Sequence, residues 1–66
     1  MLRSVVQYRV VVLGRPMGPW RMEREQACRD AIELDLGEYN RAGQFWITVP
    51  GDIEIRMVSV AEARAA

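Results

Sequence analysis

Two stretches of alternating apolar residues, 4–13 (SVVQYRVVVL) and 44–58 (QFWITVPGDIEIRMV), enclose the only segment with helical periodicity. That order constrains the fold more than any other feature. A sheet has two faces, and one helix can shelter only one of them. The expectation is an α+β chain forming a single β-α-β-β domain, with a three-stranded mixed sheet and one helix packed on one face. Residues 1–66 make one small domain, with an ordered core over 3–60 and a frayed tail over 61–66.

The first stretch is rich in β-branched residues, as strands are. Val6, Tyr8, Val10 and Val12 fall on one side, and Val5, Gln7, Arg9, Val11 and Leu13 on the other. Gln7 and Arg9 require the second side to reach water in part. In the last stretch, alternating runs flank Pro50-Gly51-Asp52, a turn composition that reads as a hairpin. Setting Val49 opposite Ile53, Ile47 opposite Ile55 and Phe45 opposite Met57 gathers the strong apolar residues on one face. Thr48 then faces Glu54, and Trp46 faces Arg56.

Between the strands, residues 19–36 carry Arg21, Glu25, Arg29 and Glu33 at i,i+4 steps with alternating charge, a solvated helix side. Ala27, Ala31 and Leu34 form the opposite side, flanked by Cys28 and Ile32. Pro19 suits the first helical position and Gly37 a left-handed helix end. A right-handed crossover would make the first two strands parallel, with the third between them or outside the second.

The segment GRPMGPW at 14–20 is a corner and not a phosphate cradle. Pro16 and Pro19 remove two backbone donors, and no glycine-rich phosphate motif is present. Arg15 and Arg21 are weak candidates for an anion site beside a helix N-terminus. Without histidine, the usual general base and nucleophile–His pairs are missing. The lone Cys28 reads as a small buried hydrophobe, and Asp30, Glu33 and Asp35 as a charged surface. No enzyme, metal or cofactor is expected.

Nine basic and nine acidic residues cancel, which weighs against non-specific attraction to nucleic acid or anionic membrane. No apolar run approaches the roughly 20 residues of a membrane span, and no signal-peptide core follows Met1, so a soluble, cytoplasmic protein is expected. A core this small supplies only about 3–5 kcal/mol, and one cysteine cannot cross-link its own chain. Self-association is the remaining supplement. The uncovered face brings Val5, Trp46 and Val58 together with Arg9 and Arg56, the composition of an interface core. The sequence thus points to a non-catalytic interaction or regulatory module, homodimeric through the helix-free face or a sheet edge, or binding another protein. The rival is a nucleic-acid-binding face built from Arg9, Trp46 and Arg56.

Overall fold

The computed structural model describes residues 3–65. Strand β1 (Ser4–Val12) is central, between the short β2 (Arg15–Pro16) and β5 (Gly51–Ser59). Helix α1 (Arg24–Glu33) packs on this sheet, β3 (Gly37–Tyr39) and β4 (Phe45–Ile47) make a second two-stranded sheet, and α2 (Val60–Ala65) follows β5. The α+β class stands. The expected β-α-β-β order, mixed sheet and hairpin between residues 45–49 and 53–57 give way to a different topology.

In place of that hairpin, β5 pairs antiparallel with β1 in one unbroken register, from Ser4↔Ser59 to Val12↔Gly51. The reason lies in the corner. Leu13 (φ 52°) and Gly14 (φ 77°) form a two-residue turn with both residues left-handed, whose twist suits a tight hairpin. The chain therefore runs straight back along β1, pairing Val12 with Arg15 and Val11 with Pro16, and later Tyr8 with Arg21. This return uses up the crossover. Helix α1 then carries the chain up to the end where β1 finished, where Leu36 Cβ lies 3.5 Å from the place a Cβ on Gly51 would occupy. A long strand leaving that end runs antiparallel to β1. It also sets Glu54 opposite Arg9, an opposite-charge pair that the expected hairpin lacks.

Helix α1 consequently starts at Arg24, not near Pro19, because the backbone of Arg21 is committed to Tyr8 through N–H···O bonds of 2.8 and 2.6 Å. Its end differs too. Asp35 (φ 61°) takes the left-handed position, with Asp35 N–H bonded to Ile32 O and Leu36 N–H to Ala31 O, a Schellman motif. Gly37 instead begins β3, where a Cβ would meet the Phe45 ring and Trp46 O at 2.8 Å. Of residues 61–66, expected as a frayed tail, 61–65 lie in α2, whose Glu62 N–H donates to Ser59 Oγ, and residue 66 lies outside the described residues.

The core is small: Val10, Val11, Ala27, Cys28 and Ala31 are its buried apolar residues. Alanines under the helix let it approach Val10 closely. Coverage of that face stops short, leaving Ile55 and Met57 61% and 70% exposed. The Val49–Pro50 peptide is cis, in the turn that leads from β4 into β5.

Candidate functional site

Two surfaces compete for a functional role, one on the helix-free face of the sheet and one along its outer edge. The first carries Val5, Gln7, Arg9 and Val11 of β1 beside Val58, Arg56, Glu54 and Asp52 of β5. Four of the five candidate interface residues, Val5, Arg9, Arg56 and Val58, thus share a face. The fifth does not. Trp46 belongs to the second sheet, opposite Glu38, and is 60% exposed.

The indole that meets the two arginines is Trp20. Three residues, Gly18 to Trp20, bow out between the Met17–Val10 hydrogen bond and the Tyr8–Arg21 pair. Because Arg21 points to the helix side, its neighbours Trp20 and Met22 are turned to the other. Trp20 has Arg9 Cζ at 4.2 Å and Arg56 Cζ at 4.1 Å from its ring centre. Both guanidinium groups are also tied down in the sheet. Arg9 is bonded to Glu54 Oε1, and Arg56 Nε donates to Gln7 Oε1 at 2.8 Å. The Gln7 amide reaches Met22 Sδ at 3.6 Å. Gln7, expected to reach water, is only 4% exposed. The helix-free face is therefore largely closed by the chain's own loop.

The weak anion candidates separate. Arg15 is exposed on β2, whereas Arg21 binds Asp30 through Nε and Nη2 at 2.8 and 2.9 Å. That fork holds the Arg21 guanidinium above its ordinary pKa, first through the hydrogen bond and then through charge attraction. Asp30, expected on an open acidic surface, is half-buried and engaged. Of the expected charge ladder, the structure has Arg29 donating to Glu25 at 3.1 Å. A shallow cleft of about 250 Å³ beside Arg21 and Asp30 gains no free polar group from them. Burial pushes the Cys28 thiol up, outweighing the opposite pull of Arg24, which makes it a poor nucleophile.

The second surface is the outer edge of β5. Tyr8 exchanges both backbone bonds with Arg21, on the side away from β5. In an antiparallel ladder its partner Ile55 must then point its own N–H and C=O outward, and so must Ile53 and Met57. Among the described residues no strand pairs with that edge, and Ile53 N–H is bonded to Asp52 Oδ1. The other edges are blunted: β2 is two residues long and contains Pro16, and β3 and β4 have three residues each. A nine-residue edge strand, with exposed Ile55 and Met57 on one side, is the open feature of the fold. Sequence reasoning missed it by pairing β5 with β4. The alternation Trp20-Arg21-Met22 after Gly-Pro was the available signal that this segment is extended.

Among the described residues no helix is long and apolar enough to cross a membrane. No protein-family model matches the chain, and neither a curated protein nor a solved structure matches it significantly.

Proposed function

We propose that this chain is a non-catalytic interaction module that self-associates by adding a strand to the free edge of β5. The observation that carries the reading is the coincidence of outward backbone groups and exposed apolar side chains at Ile55 and Met57. Proteins guard long edges with lysine, proline, bulges or covering loops, because an unguarded one recruits another strand. From Ile53 to Met57 the edge has neither proline nor lysine, and the ladder behind it has no bulge. Strand addition supplies backbone hydrogen bonds for affinity and alternate side chains for specificity. It also adds burial to a core that is otherwise very small.

The edge takes the place of the helix-free face because Trp20 and Met22 already lie over that face. Arg56 and Val58 belong to the proposed edge strand, with Val5 and Arg9 behind them on β1. The rival nucleic-acid reading needed Arg9, Trp46 and Arg56 on one face. Trp46 is in the other sheet, and Arg9 is neutralised by Glu54.

Sedimentation of the wild type across a wide concentration range tests the proposal. Mass should rise with concentration, Ile55→Lys should hold the protein monomeric with its circular dichroism unchanged, and Trp46→Ala should associate as the wild type does. Association lost in Trp46→Ala but kept in Ile55→Lys moves the interface to the β3–β4 hairpin and overturns the reading.

A further inference from the structure

We infer that the strand added to β5 is β5 of a second copy, antiparallel, with Ile55 of each chain opposite Ile55 of the other. This rests on the edge reading above and adds the occupant and its register. A two-fold axis makes such an interface self-complementary, so residue i of one copy faces residue j of the other and the reverse. The outward backbone groups belong to Ile53, Ile55 and Met57, so these must form the hydrogen-bonded pairs, with Ile53 N–H exchanging its bond to Asp52 Oδ1 for one to the other copy. Only a few registers satisfy both conditions.

Charge selects among them. With Ile55 on the axis, Ile53 faces Met57 of the other copy, and Glu54 faces Arg56 of the other copy. Moving the axis by one residue sets Glu54 against Glu54 in one direction and Arg56 against Arg56 in the other. Like charges directly opposite are destabilising, whereas opposite charges and apolar pairs are favourable. The inferred register thus gives opposite-charge pairs on the Trp20 side of the joined sheet. On the helix side it gives a continuous apolar strip of Ile53, Ile55 and Met57 from both chains. Those side chains include the two exposed large apolar ones of the strand, at 61% and 70% exposure. The axis is perpendicular to the sheet, so both α1 helices stand on one face and flank the strip. A strand from an unrelated partner would have no reason to present acid and base at these two positions in reverse order.

Cysteine cross-linking in a Cys28→Ala background tests the register. Opposed residues in a hydrogen-bonded antiparallel pair have Cα atoms about 5.5 Å apart, within disulfide reach. Under mild oxidation Ile55→Cys should link to itself at least about tenfold faster than Glu54→Cys or Arg56→Cys, which face themselves only in the shifted registers. A mixture of Ile53→Cys and Met57→Cys proteins should form the mixed disulfide in preference to either homodimer, and this pair leaves the charged residues untouched. Preferential linking through 54 or 56 in a dimeric protein overturns the register and leaves edge association standing. A dimer that links at none of these positions also overturns it. A wild-type mass that stays monomeric at every concentration overturns the edge reading itself.

Discussion

Trp20 and Arg56 meet on the helix-free face of the sheet, with the guanidinium carbon 4.1 Å from the centre of the indole. Arg9 approaches the same ring at 4.2 Å, so one aromatic side chain organises two cations and shelters Gln7 behind them. Partly exposed contacts of this type contribute about 0.5–1 kcal/mol each. Trp20→Ala removes both contacts and the indole's burial, and should cost about 2–3 kcal/mol in urea unfolding. Trp20→Leu keeps the apolar cover and should lose about half as much. A Trp20→Leu variant as stable as the wild type would mean that stacking on the arginines contributes nothing.

Asp35 ends helix α1 with a φ of 61°, a conformation that costs side-chain-bearing residues and suits glycine. Asp35→Gly should stabilise the protein by about 1 kcal/mol, since the Schellman bonds from Asp35 and Leu36 are made by the backbone and survive. For a domain of this size the melting temperature should rise by about 4–8 °C. A fall would show that the Asp35 carboxylate has a stabilising role of its own.

Cys28 is buried beneath α1, and burial raises its pKa. The unfolded chain therefore loses this thiol proton before the folded one does. Stability is unaffected by the thiol below the ordinary cysteine pKa of about 8.5 and falls as pH rises above it, by at most about 1.4 kcal/mol per pH unit. Measured between pH 8 and 10, the difference between wild type and Cys28→Ala should shift in favour of the alanine variant as pH rises. A constant difference would mean that the thiol ionises equally in both states.

The alternation of β1 and β5 made both strands and their faces legible in the sequence. Val5, Arg9, Arg56 and Val58 were correctly placed together because period two fixes sides whatever the partner strand. Pairing was less legible. Val49 and Ile53 around Pro50-Gly51 satisfy hairpin rules, yet the longer ladder with β1 also aligns Arg9 with Glu54. The decisive residues were Leu13 and Gly14. Leucine is an unusual choice for a left-handed turn position, so nothing at 13 announced that the chain would double back on itself. Once it does, Trp20 is delivered to the face that had been assigned to Trp46, and the helix loses its first turn. Asp35 hid the helix end in the same way, by taking a conformation for which Gly37 was the obvious candidate.

The ladder from Ser4↔Ser59 to Val12↔Gly51 joins the first strand of the fold to the last. Residues 13–50 must therefore be drawn into one loop before β1 can pair with β5, and the entropy of closing that loop is spent ahead of any reward from the core. Although it is short and contains a helix, this protein should fold on the timescale of non-local β-proteins, with β1 and β5 meeting late. Until they meet, the whole of β5 stands without any neighbour, which makes the interval before closure the moment at which chains would most readily capture one another.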